Sequence, residues 1–155
     1  MYSEEHIQRL ISGLAKIVAA WDMTSAATIK LLTVSENATF IATEGTRKII
    51  VRVHAPDYHS YDEVKSELAW ILDLKQQNIL NTPSPIALAD GEYIATVSDG
   101  QRDYLAVAFE FMQGQEPDVS NDLAAWFEEL GAITAKLHQH AKNWQRPEGF
   151  TRKKW

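Results

Sequence analysis

The sequence predicts an α+β domain in which helices pack on an antiparallel sheet, and three observations carry that prediction. The segment from residue 3 to about residue 20 puts Ile7, Leu10, Ile11, Leu14, Ile17, Val18 and Trp21 at spacings of three and four, the period of an amphipathic helix. Between residues 28 and 54, three runs rich in Ile, Val, Thr and Leu are broken at Ser35-Glu36-Asn37 and at Glu44-Gly45-Thr46. Two such breaks between apolar runs make a three-stranded antiparallel meander. Ser60 and Glu63 have the S-x-x-E spacing of a capping box, in which each side chain satisfies an orphan backbone amide. A second helix therefore starts at about Tyr61 and runs to roughly Gln77.

The remaining elements follow in order. Two prolines break the chain between Asn78 and Pro85, and Asp90-Gly91 and Asp99-Gly100 then punctuate β runs at 85–89, 92–97 and 103–111. Gly114, Glu116 and Pro117 read as a linker. A last helix starts near Asp122 and carries Leu123, Trp126, Phe127, Leu130, Ile133, Thr134 and Leu137 on one side.

Composition bounds the function. A chain of 155 residues, 45% hydrophobic and 23% charged, is large enough for one core. The absence of cysteine excludes a disulfide framework and a thiolate metal site, and a cytoplasmic location is the expectation. A net charge of -6 opposes binding to nucleic acid, which requires a concentrated basic face. The short basic run Arg152, Lys153, Lys154 reads as a solvated end. No apolar run approaches a membrane span, and the polar face of the first helix lacks the basic excess of a membrane-surface helix. Packing against the sheet is the expected role of that helix.

One stretch, "KIIVRVHAPDYHSYDEVKSELAWI", places charges where apolar residues are expected. By strand alternation Ile49, Val51 and Val53 share one face, and Ile50, Arg52 and His54 share the other. Arg52 thus sits centrally in its strand. In the following helix Glu67 falls on the edge of the stripe formed by Val64, Leu68, Ile71 and Leu74. An unpaired buried carboxylate costs several kcal/mol, so a partly buried Glu67 requires a partner, and Arg52 is the natural one. Spacing by itself leaves open a second reading, in which the two are separate surface residues.

The histidines and serines do not assemble other chemistry. His138 and His140 stand two apart on a predicted helix and point to different sides, so they cannot chelate a metal as i, i+4 partners do. No metal site is expected. No G-x-S-x-G elbow occurs, and hydrolase chemistry is unsupported.

A strand with an inward basic residue followed by a helix with an inward glutamate resembles the core of the kinase amino-terminal lobe. The sequence resembles the aminoglycoside phosphotransferase and choline kinase-like family, with its type II homoserine kinase relatives, over about residues 28 to 155. The segment "SENATFIATEGTRKIIVRVH" is similar to that family's first hairpin and third strand, and "SELAWILDL" to its glutamate helix. "AVAFEFMQG" is similar to the strand entering the hinge, and "LGAITAKLHQHAKNW" to the first large helix of the carboxy-terminal lobe. The resemblance implies a helical extension at 1–26, a nucleotide-binding lobe at 27–112, and a linker with the first helix of a truncated carboxy-terminal lobe at 113–155.

It also implies roles for particular residues. Arg52 stands where many relatives carry the lysine that holds the nucleotide α and β phosphates, and Glu67 orients that cation so that it is in place when phosphate charge arrives. Ser35, Glu36 and Asn37 occupy the loop over the phosphates. That loop lacks GxGxxG, so its cradle would come from backbone amides and the Ser35 and Asn37 side chains. The Glu110 carbonyl and the Met112 amide, in a hinge from Phe109 to Met112, would meet the adenine edge, with Ile50 and Phe109 lining its faces. One of Phe109 and Phe111, by alternation, belongs to the plain strand core.

ATP and Mg²⁺ are the implied cofactors, but the H-G-D-x-x-x-x-N loop and the D-F-D-like motif that supply the base and metal ligands do not occur in the chain. The expectation is therefore the amino-terminal portion of a small-hydroxyl phosphotransferase, inactive alone, with its Mg²⁺ ligands outside this chain. The alternative is a non-catalytic half-kinase that acts as a protein-interaction module. In either case the apolar stripe of the last helix is expected to be covered, and a homodimer through that helix is the expected cover.

Overall fold

The computed structural model describes residues 2–114 and 123–153. Helix α1 spans Glu4–Ile17. Its Ser3 N-cap accepts from the His6 amide, Glu4 and Glu5 lie against the positive end of its dipole, and a 3-10 turn, Val18–Trp21, follows it. Strands β1 (Thr28–Val34), β2 (Asn37–Glu44) and β3 (Arg47–His54) form the expected meander. Helix α2, Tyr61–Gln76, starts with both halves of the capping box in place between Ser60 and Glu63. Strands β4 (Ile94–Ser98) and β5 (Asp103–Glu110) complete an antiparallel sheet of order β1-β2-β3-β5-β4.

The expected strand at 85–89 does not form. Pro85 makes a single bridge to Phe109, flanked by bonds from the Glu110 amide to the Ser84 carbonyl and from the Ile86 amide to the Ala108 carbonyl. Pro83 and Pro85 have no amide to donate, so pairing along this stretch stays short. Helix α3 is described over Leu123–Asn143. The expected linker through Glu116 and Pro117, the start near Asp122, and Lys154 and Trp155 lie outside the described residues.

The sheet is covered on both faces. On one, Leu10, Leu14, Val18 and Trp21 pack with Ala38, Phe40, Ile49, Val51, Val53, Val97 and Ala106 into the main core. Gly13 lets α1 approach closely there, because a Cβ at that position would stand 2.2 Å from the Ser98 carbonyl oxygen. Asp99 pins the same helix electrostatically. It accepts from the Gln101 and Arg102 amides and the Tyr104 hydroxyl, and it pairs with Arg9. On the other face Val64 and Leu68 of α2 pack on Val107 and Phe109, with Ile50 and Ile71 beside them. Among the described residues no helix is long and apolar enough to cross a membrane.

Candidate functional site

Strand alternation sends Arg52 to the α2 face of the sheet, where it lies opposite Thr39 of β2 and Val107 of β5. Its Nη2 donates to Glu67 Oε1 at 2.7 Å, so the two charges form a pair and are not separate surface residues. About a quarter of each side chain is exposed, 25% for Arg52 and 27% for Glu67. The guanidinium carbon also lies 5.2 Å from the centroid of the Phe109 ring, a cation–π contact that holds the planar group against the strand.

This pair borders a cavity of about 470 Å³ lined by Arg52, Ile50, Phe109, Glu110, Met112 and Thr82, with Thr39, Ile71 and Pro83 completing it. Ile50 and Phe109 are register partners across β3 and β5, and both wall the cavity. Phe109 is 9% exposed and belongs to the α2 core cluster, while Phe111 is exposed with Lys48 over its ring. Two buried polar atoms at this cavity, Arg52 Nε and Thr82 Oγ1, have no hydrogen-bond partner among the described residues. Buried polar groups are nearly always satisfied, so both are candidate contacts for a ligand or solvent.

Five of the eight expected site residues, Arg52, Ile50, Phe109, Glu110 and Met112, line the cavity, and Glu67 joins through its ion pair. Ser35 and Asn37 do not. Asn37 pairs with His54, two residues along β3 from Arg52, and its Oδ1 accepts from the Ala55 amide at 3.4 Å. The Ser35 amide donates to the Asn37 carbonyl, closing the β1–β2 turn beyond the cavity. Hydrogen bonds from the loop backbone and the Ser35 hydroxyl hold the Glu36 carboxyl below its usual range. In this conformation the Ser35 hydroxyl serves a neighbouring carboxylate. Thr39 was findable by extending the strand register from Arg52, whereas nothing in the sequence brings Thr82 and Pro83 to this wall.

Behind α2 a second cluster ties the helix to α3. Trp70 Nε1 donates to His140 Nδ1 at 3.0 Å, and His140 Nε2 lies 2.6 Å from Asp73 Oδ2. Indole can only donate, so Nδ1 is the acceptor and the ring proton sits on Nε2, facing the carboxylate. Trp70 and Asp73 follow Glu67 by three and six residues, so the cluster holds the helix that bears Glu67. The signal was present in the sequence, since His140 continues the α3 stripe three residues after Leu137. His138, by contrast, is exposed. The amino-terminal half of α3 leaves Trp126, Phe127 and Leu130 exposed. Among the described residues no group of three or more His, Asp or Glu side chains could hold a metal ion.

Comparison with known proteins gives this geometry a context. A family model described as the phosphotransferase enzyme family matches residues 28–155. Among solved structures, a microcompartment-associated aminopropanol kinase is 35% identical with a TM-score of 0.81, covering 94% of this chain and 45% of its own. An amicoumacin kinase, solved with AMP-PNP, Ca²⁺ and amicoumacin, is 21% identical with a TM-score of 0.75, covering 99% of this chain and 47% of its own. A spectinomycin phosphotransferase, solved with ADP and spectinomycin, shares the fold at 14% identity and a TM-score of 0.60, over 85% of this chain and 37% of its own. The chain spans less than half the length of each, and the fold is that of a kinase-like amino-terminal lobe with added helices. No curated protein matches the sequence.

Proposed function

The chain belongs to the phosphotransferase enzyme family, and from that premise we propose that residues 27–112 form the nucleotide-binding lobe of an ATP-dependent kinase for a small hydroxyl-bearing substrate. The observation that carries the reading is the Arg52–Glu67 pair, 2.7 Å apart at the wall of a cavity that also touches the Glu110–Met112 strand exit. The bound nucleotide supplies the phosphoryl group for transfer. Glu67 uses one oxygen to fix the guanidinium, which leaves the other donors of Arg52, its unpartnered Nε among them, for phosphate oxygens. Ile50 and Phe109 provide apolar walls for a planar base, and the backbone from Glu110 to Met112 provides its hydrogen-bonding edge. A cation fixed before the ligand arrives needs no reorganisation when phosphate charge reaches it.

Among the described residues no cluster of His, Asp or Glu side chains fits a divalent metal ion. For the acceptor, the relative at 35% identity is an aminopropanol kinase, which favours a small amino alcohol. The exposed Trp126, Phe127 and Leu130 favour, as a second reading, a surface through which this chain contacts another protein.

Calorimetric titration of the chain with AMP-PNP tests the nucleotide reading. Saturable binding that weakens about tenfold or more in Arg52→Met is the expected result, from the loss of a charge-assisted contact. Binding indifferent to that substitution, or none at all, would remove the reading.

A further inference from the structure

Thr82 lines the same cavity as Ile50, Ile71, Pro83 and Phe109, and its Oγ1 is buried without a partner among the described residues. The segment that carries it is held firmly. Proline at 83 restricts Thr82 to extended conformations. The next residues run antiparallel to β5, through the 2.9 Å bond from the Glu110 amide to the Ser84 carbonyl and the bridge of Pro85 to Phe109. Continuing that antiparallel direction brings Thr82 beside the stretch that leads from Glu110 to Met112, and all three line the cavity. A valine would fill the same volume with no unmet hydroxyl, so the hydroxyl adds nothing to packing and costs free energy until a polar group reaches it.

We propose that the Thr82 hydroxyl is a specificity-determining contact that reads the polar exocyclic substituent of the bound nucleobase. The proposal rests on the reading of this cavity as the nucleotide site. Of the two unpartnered polar atoms there, Arg52 Nε belongs to a fixed cation suited to phosphate, and Thr82 Oγ1 belongs to a residue that shares the cavity wall with Glu110 and Met112, whose backbone would meet a base edge. A hydroxyl both donates and accepts. It therefore favours any base that presents a donor or acceptor on that edge over one that presents only C–H.

The test compares ATP with purine riboside triphosphate, which lacks only the 6-amino group, by calorimetric titration of the full chain. Wild type is expected to prefer ATP by about three- to tenfold, the range of one neutral hydrogen bond. Thr82→Val should narrow that preference by weakening ATP alone, the Glu110 carbonyl keeping the remainder, and Thr82→Ser should keep it in full. Thermal melting of each variant establishes that the fold is retained. Equal affinity of wild type for the two nucleotides, or a preference undiminished in Thr82→Val, overturns the proposal. In that event binding that still depends on Arg52 leaves the nucleotide site standing. Failure of wild type to bind either nucleotide overturns both.

Discussion

Removing the Glu67 charge by Glu67→Gln should cost the fold about 2 kcal/mol, a value set by the partial burial of the pair. Exposed ion pairs contribute about 0–1 kcal/mol, and loss of one partner from a buried pair costs about 3–5 kcal/mol. Arg52 and Glu67 are each about a quarter exposed and 2.7 Å apart, which places them between those limits. Glutamine retains an acceptor for the guanidinium, and Phe109 still offers its ring face, so the upper limit is not reached. Arg52→Met should cost a similar amount by leaving the carboxylate against the apolar Val64, Leu68 and Ile71 stripe. The double variant should lose less than the two single losses added together, because it buries neither charge alone. Urea unfolding of the four proteins gives the coupling directly, and about 1 kcal/mol is expected. Coupling within about 0.3 kcal/mol of zero would mean that solvent screens the pair completely. Partial burial would then not have made the partnership obligatory.

Gly13→Ala should destabilise the chain by about 1–3 kcal/mol despite alanine's better helix propensity, because the new Cβ meets the Ser98 carbonyl and overpacking of this kind has no side chain to move; a raised melting temperature would contradict that close approach. Burial, with the Arg52 charge nearby, pushes the His54 imidazole down to about 4 from its ordinary 6.5. The unfolded chain therefore takes up a proton that the fold refuses, and stability should fall by about 3 kcal/mol as pH drops from 6.5 to 4. His54→Leu should flatten that part of the urea-stability profile. Asp99 acts in a lower window. Burial raises its carboxyl, but the Arg102 and Gln101 amides, the Tyr104 hydroxyl and Arg9 outweigh it and hold the group at about 2; its contribution is complete above pH 3.8 and is lost as pH falls through 2, a loss that Asp99→Asn should abolish. Exposed Trp126, Phe127 and Leu130 should drive self-association, since burying each such side chain contributes about 1.5–3 kcal/mol. Sedimentation over a concentration series should show a dimer that Phe127→Glu disperses, and a monomer throughout would eliminate it.

Much of this protein is legible from local chemistry because its elements are specified by short-range signals. The S-x-x-E box starts α2 at Tyr61 as predicted, since capping needs only residues three apart. The period-two pattern of β3 put Arg52 on the face opposite Val51 and Val53, and the helical period put Glu67 at the edge of the α2 stripe. Those two facts, with the cost of an unpaired buried charge, were enough to pair residues 15 apart in sequence. Tertiary structure decided what short-range signals cannot carry. The apolar run at 85–89 has strand composition, yet prolines at 83 and 85 reduce its pairing with β5 to one bridge. Ser35 stays in the β1–β2 turn, but Asn37 opens β2, and the β2–β3 register carries it two residues past Arg52 and out of the cavity. Helical period put His140 on the α3 stripe, but its seat between Trp70 and Asp73, like that of Thr82 in the cavity wall, came only from packing. Their partners are distant in sequence, and no spacing rule encodes a contact that exists only once the helices and the sheet have docked.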